Sequence, residues 1–299
     1  MIDVVEKIVQ REKLFRGDGD IRIEPLAGGL VNHAYKISTD SKEYFLRISS
    51  AQYKHLNLDL AQEFQALSLA STQRIAPKAL SYDEGIGYLV LEYLPSEKVN
   101  IQEFRNPENL TRLFEKLRRV HQFKTVNRRC NAYYLIERYI AGACQAGVSV
   151  SAEFDGFLKR MREIEQSRAE NVEEMHCFCH NDLYTINVLK SGQEYYLIDW
   201  ELCGVGDIYF DLAIFPSIYQ YTQDQEVQLL EAYFGEGQVG EEHLAVLQDL
   251  KYVNVVREAA WAYFYSGLGI QFETHAFDYA GHAARTVEKL IAGENSLGV

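Results

Sequence analysis

Strand-forming runs fill the first third of this chain and helical periodicities fill the rest, and the texture changes just after Pro95. Segments 21–27, 31–38 and 44–48 are short β-branched or aromatic runs separated by Gly28-Gly29 and by Thr39-Asp40-Ser41, and they read as a meander. Two further strands, 79–82 and 88–94, flank the turn at 84–87. Between these sets, Leu60, Phe64 and Leu67 recur at i, i+4, i+7 and mark an amphipathic helix, and Val5, Ile8 and Val9 mark another at the start. Beyond Pro95, Asn106 followed by Pro107 signals a capped helix start, with Leu110, Leu113, Leu117 and Val120 on its buried face. Helical patterns recur at 133–146 and 153–168, a strand-like patch interrupts them at 176–199, and helices run on to the end. Strands first and helices afterwards predict an α+β protein of two lobes, 1–94 and 95–299, hinged near 92–97.

Composition narrows the function. Hydrophobic residues make up 47% and charged residues 24%, which excludes a disordered or collagen-like chain. The longest charge-free stretches, 139–152 and 259–272, fall short of the ~20 apolar residues of a membrane span. Asp3 and Glu6 stand where a secretory leader carries lysines, and five cysteines are an odd number for a disulfide scaffold. A soluble, cytoplasmic protein without membrane insertion is expected. The net charge of −13 has the wrong sign for a phosphate-backbone binder, so nucleic acid is not an expected partner. The acidity suits either a cationic small substrate or plain solubility. The basic run 116–129 reads as the exposed face and end of a helix.

The segment from His180 to Leu189, with Asp199-Trp200-Glu201 after it, carries the chemistry. Phosphoryl transfer needs a carboxylate to orient the acceptor hydroxyl and oxygen ligands to hold Mg²⁺ against the phosphates. Asp182 and Asn187 have the spacing of a catalytic-loop aspartate and its metal-binding asparagine, and Asp199 closes an apolar strand where a second ligand belongs. The turn Gly28-Gly29 with Asn32 can bring N–H groups close to phosphates, or it is simply a hairpin turn. Arg47, on the next strand, and Glu63, in the helix behind it, match a phosphate-orienting ion pair. Glu92, Tyr93 and Leu94 lead into the hinge, where backbone groups can bond an adenine. His176-Cys177-Phe178-Cys179-His180 lacks zinc spacing, and its cysteines read as small hydrophobes on one strand face. Trp261, Phe264, Tyr265 and Leu268 read as a core face, with an aromatic ligand pocket as the alternative.

Together these residues resemble the choline/ethanolamine kinase family, a branch of the protein-kinase-like phosphotransferases that also includes the aminoglycoside phosphotransferases. The resemblance runs from about residue 21 to 290 and rests on Gly28-Gly29-Leu30-Val31-Asn32, Arg47, Glu63, Leu117–His121, the 180–189 segment, Ile198–Glu201 and Phe210–Ala213. It implies a two-lobed kinase-like fold, with an antiparallel sheet in the nucleotide lobe. It also implies an ATP- and Mg²⁺-dependent kinase for a small cationic alcohol, choline or ethanolamine. Thiamine kinase, aminoglycoside phosphotransferase and an inactive kinase-like binding module are the alternatives. By resemblance Asp182 is the base, Asn187 and Asp199 bind Mg²⁺, Arg47 contacts ATP phosphates, and His180 and Asp211 brace the catalytic loop. Trp261, Phe264 and Tyr279, with Tyr221 and Glu201, would surround the acceptor cation. Leu202 departs from the family, which often has an aromatic residue there.

Overall fold

The computed structural model describes residues 2–17, 19–26, 32–49, 56, 58–124, 130–268, 277–294 and 296–297. The first third of the chain holds a five-stranded antiparallel sheet of order β1-β2-β3-β5-β4, built from β1 (Arg22–Leu26), β2 (His33–Ser38), β3 (Glu43–Ile48), β4 (Ala79–Asp83) and β5 (Tyr88–Glu92). Strand alternation gives the sheet two different faces. Ile37, Leu46 and Val90 pack with Val5 and Ile8 of α1 (Ile2–Arg11) in a core of their own. Phe45, Leu89 and Leu91 belong to the main core instead, together with α2 (Leu60–Thr72), whose start is capped by Asp59 accepting from the Gln62 N–H. Arg47 alternates with Leu46, and so projects from the face opposite α1.

The sheet ends at Glu92, and the next strand, β6 (Glu97–Lys98), pairs with β8 (Val188–Ser191), which pairs with β9 (Glu194–Leu197). β7 (Cys177–Cys179) pairs separately with β10 (Gly204–Gly206). Seven helices and one short turn of helix follow among the described residues after the sheet: α3 (Pro107–His121), α4 (Ala132–Gln145), α5 (Phe154–Arg168), α6 (Val172–Met175), α7 (Ile208–Tyr219), α8 (Gln223–Phe234), α9 (Glu241–Leu268) and α10 (Tyr279–Ile291), α6 being the short one. Asn106 caps α3 through the Glu108 N–H, with Pro107 in its first turn. Every residue of α7 from Ile208 to Ile218 is buried, as expected for a helix that is apolar all round and lies at the centre of a core. The 28-residue α9 packs against α4, α7 and α10.

The basic run meets expectation only in part: Arg119 and Lys124 are exposed near the helix end, but Lys116 is not. Lys116 is buried, and its ammonium donates to the carbonyls of Arg74 at 2.9 Å and Tyr195 at 2.5 Å. Arg118 donates to the carbonyls of Ala232 and Tyr233 at the end of α8, and Arg119 to that of Gln73 just past α2. These cations satisfy carbonyls left over at helix ends and, at Tyr195, within β9. Arg128 and Arg129 lie outside the described residues.

Candidate active site

The loop between β7 and β8 takes its shape from Asp211, in the first turn of α7. Its buried carboxylate accepts from the backbone N–H of His180 at 2.8 Å and of Asn181 at 2.7 Å, and meets His121 Nε2 at 3.1 Å. The other His121 ring nitrogen faces the Tyr233 hydroxyl at 2.6 Å, so His121 Nε2 is the donor to Asp211. His121, Cys179 and Asp211 have the proximity of a metal group, but these hydrogen bonds already occupy the imidazole and the carboxylate. Asn181 has φ +64°, a left-handed conformation that asparagine adopts more readily than other non-glycine residues. Its amide secures that conformation by donating to the carbonyls of Cys130 (2.6 Å) and Leu202 (2.9 Å). His180 is fully buried, bonds the Ile198 carbonyl through Nε2 and packs on Trp200, and burial pulls its pKa below the usual histidine value.

Asp182 and Asn187 meet directly. The Asn187 amide nitrogen donates to the Asp182 carbonyl and to Asp182 Oδ2, both at 2.8 Å, which leaves the amide oxygen as the atom available to a cation. Asn187 also receives the Ile198 N–H on its backbone carbonyl, which brings the start of Asp199 alongside. Asp199 has φ +62°. Its carboxylate accepts from Arg47 Nη1 at 3.1 Å, while Arg47 Nη2 reaches Glu63 at 2.6 Å and Glu201 lies 3.7 Å from Nη1. Glu201 in turn accepts from the Asn32 amide at 2.9 Å. Burial first and the charge of Glu201 second push the Asp199 carboxyl well up from its ordinary value, and burial raises Glu201 as well. Four carboxylates (Glu63, Asp182, Asp199 and Glu201) thus gather around two guanidiniums, those of Arg47 and Arg257.

The other nucleotide-side residues fall less simply. Gly28 and Gly29 lie outside the described residues. The Glu92 N–H donates to Lys78 and the Tyr93 N–H to Glu43, so neither is free for a base, and the Tyr93 ring lies under Lys36. Backbone pairing thus consumes those two donors. Leu94 follows, before β6 begins.

At the opposite end, Trp261 meets the rings of Tyr265 (5.2 Å), Tyr279 (5.3 Å), Phe277 (6.0 Å) and His282 (6.4 Å). Glu258, one turn earlier on α9, accepts from the Tyr184 hydroxyl at 2.8 Å and from His282 at 3.0 Å. Burial opposes its ionisation, but the His282 hydrogen bond and the Arg257 charge prevail and hold it below the ordinary glutamate value. Two expected members belong elsewhere. Phe264 is 2% exposed and packs on Tyr139, with its ring against Gly142, where a Cβ would lie within 2.6 Å of it; it seals the α4–α9 contact. Tyr221 spends its hydroxyl on the Phe104 carbonyl, and its ring lies by Arg105, because the turn after α7 carries it away from α9. Arg257, Glu258, Phe277 and His282 are not marked by the sequence reading, in which Tyr265 is a core-face residue with a ligand pocket as the alternative. The one signal available was the helical spacing of Arg257, Glu258, Trp261 and Tyr265 on a single face.

Choline kinase B1 of Caenorhabditis elegans is 25% identical over 240 residues, covering 71% of this chain and 62% of the relative. Protein LicA of Haemophilus influenzae is 23% identical over 215 residues, 69% of this chain and 61% of its own. The chain therefore spans about three fifths of the length of these two relatives. A LicA homolog of Metamycoplasma hominis shares 41% identity over 54 residues, 18% of this chain and 22% of its own. The crystal structure of choline kinase LicA from Streptococcus pneumoniae superposes with a TM-score of 0.76 at 22% identity, covering 96% of this chain and 99% of that one. A choline/ethanolamine kinase family protein from Mesorhizobium loti gives 0.72 at 20% identity, covering 96% and 94%. These two likenesses are of fold: an antiparallel sheet lobe joined to a helical region in the protein-kinase-like manner. Residues 22–248, well over half of the sequence, match the phosphotransferase enzyme family, and the chain belongs to that family.

Proposed function

We propose that this chain uses Mg²⁺ and ATP to phosphorylate the hydroxyl of a small cationic alcohol, choline first and ethanolamine second. The observation that carries the reading is the convergence of Asp182, Asn187 and Asp199 with the Arg47–Glu63 pair. Residues through Leu94 form the nucleotide lobe in this reading, and 95–299 the catalytic and acceptor lobe. The donor set fits a hard divalent cation, because Asn187 and Asp199 offer oxygen atoms and four carboxylates outnumber two guanidiniums. Bound there, the metal would neutralise charge on the transferring phosphate. Asp182 takes the acceptor hydroxyl on a free lone pair, aligns its oxygen with the γ-phosphorus and receives the proton as the new O–P bond forms and the bond to the bridging oxygen breaks, releasing ADP. Arg47, steered by Glu63, holds phosphate oxygens, and the groups following Tyr93 bind the base. Asp211 and His180 keep the loop in register. Trp261 and Tyr279 face the acceptor cation, with Tyr265 and Glu258 beside them, since ring faces and one carboxylate suit a quaternary ammonium head, which has no N–H to donate. An aminoglycoside would need several dispersed carboxylates, which this cluster does not offer among the described residues.

The relatives named as choline kinases support the acceptor class. Coupled ADP release across choline, ethanolamine, thiamine and a set of aminoglycosides, with and without a chelator, tests it. Turnover is expected with choline and is expected to vanish with the chelator. No turnover with any acceptor removes the kinase reading and leaves a binding module.

A further inference from the structure

Arg257 has no part in the scheme above, yet it holds the loop that carries the scheme. It lies on α9, 4% exposed, and its Nη2 donates to Asp182 Oδ1 at 2.7 Å while Nη1 donates to the Asn181 carbonyl at 3.2 Å. Its guanidinium also lies 5.4 Å from the Tyr184 ring and 5.8 Å from that of Phe210. Three residues of the catalytic loop thus rest on one side chain.

A packing role alone explains this poorly. Burying a guanidinium is expensive, and an apolar side chain of similar volume usually serves a core as well or better. Arg257 Nε is buried without a hydrogen-bond partner among the described residues, so the site keeps Arg despite an unsatisfied donor. What an apolar replacement could not do is grip a carboxylate at a fixed angle. Asp182 is clamped from two elements: Oδ1 by Arg257 on α9 and Oδ2 by Asn187 on its own loop. Each oxygen retains a second lone pair, so the clamp sets the plane of the carboxylate and leaves room for a hydroxyl.

We infer that Arg257 is a positioning residue that fixes the rotamer and plane of Asp182 for the incoming hydroxyl. The inference rests on the phosphotransfer role proposed for Asp182. The same helix carries Trp261 one turn further on, so the residue that aims Asp182 and the ring wall share one rigid element.

The test uses the full chain in four forms beside wild type: Arg257→Gln, Arg257→Lys, Asp182→Asn and the Arg257→Gln/Asp182→Asn double variant. Arg257→Gln is expected to lower kcat about 10²-fold, the scale of a misplaced reacting group, with both KM values within about threefold. Arg257→Lys keeps the charge with one donor point and should recover at least about tenfold of that loss. The double variant should be no slower than Asp182→Asn, because Arg257 acts through Asp182. In parallel, hydrogen exchange at amides 180–187 should quicken in Arg257→Gln while the sheet strands stay unchanged. Unchanged kcat in Arg257→Gln overturns the inference. So does a further tenfold loss in the double variant, or a loss tracked by melting temperature that Lys fails to recover. If wild type turns over no acceptor, the kinase reading fails instead. Loop exchange then decides alone: an unchanged rate in Arg257→Gln overturns the positioning role and a local increase supports it.

Discussion

Asp211→Asn isolates the brace on the catalytic loop. In the folded protein one carboxylate serves three donors: the His180 N–H at 2.8 Å, the Asn181 N–H at 2.7 Å and His121 Nε2 at 3.1 Å. Asparagine is nearly isosteric but offers one oxygen. In its better orientation that oxygen keeps His180 and His121, and its amide nitrogen then confronts the Asn181 N–H, donor against donor. Losing one charge-assisted bond and stranding one buried N–H together cost about 3–5 kcal/mol. Against a total of about 5–15 kcal/mol the variant remains folded at low temperature but melts early. The displaced backbone lies one residue before Asp182, so kcat should fall about 10²-fold even where the protein is fully folded. Urea unfolding at constant m-value gives the first quantity, and turnover at a temperature well below the melting transition gives the second. Asp211→Ala, which leaves all three donors stranded, should be worse on both measures. A penalty below about 1 kcal/mol with normal turnover would refute the reasoning, since it would mean the loop holds its shape without Asp211.

Asp182→Asn should preserve melting behaviour and nucleotide binding but lower turnover about 10²–10⁴-fold, and steady-state kinetics with calorimetry check both halves. Trp261→Ala should raise the choline KM about tenfold with the ATP KM unchanged, whereas Phe264→Ala should cost about 3–5 kcal/mol of stability without a selective KM effect. Equal behaviour of the two variants would sink the division between wall and core. Burial lowers the His180 pKa, so its stabilising contribution is complete above the ordinary histidine value and is lost as pH falls towards and through the depressed one. Melting temperature measured from pH 8 down to 5 should therefore fall less steeply in His180→Asn than in wild type; identical slopes would assign the acid sensitivity elsewhere.

The parts of the site that could be read in advance are those written locally. Asp182, Asn187 and Asp199 sit within one short stretch, and Arg47 and Glu63 stand on a strand and the helix that follows it. What lay hidden depends on how α9 is rotated about its axis. Its residues from Leu250 to Val256 are all buried, the polar Lys251 and Asn254 among them, so burial runs right round the helix and does not mark the side that meets the catalytic loop. Arg257 is 75 residues from Asp182, and nothing near either one announces the pair. Trp261 and Phe264 are three positions apart, an offset of about 60° around a helix, which suffices to send one to α10 and the other to Gly142. Lys116 was misread for a related reason: its partners are carbonyl ends contributed by Arg74 and Tyr195, far away in sequence.

The left-handed backbone at Asp199 bears on how this site can be lost over evolutionary time. At φ +62° asparagine and glycine fit with little strain, while glutamate, despite its charge, fits poorly. A single step to Asn or Gly would remove a carboxylate and leave the fold undisturbed, whereas a step to Glu would disturb the backbone while preserving the charge. Descendants of this chain that have abandoned phosphotransfer should therefore be found with Asn or Gly at this position. The route to a silent relative is short because the backbone was already shaped for the residues that silence it.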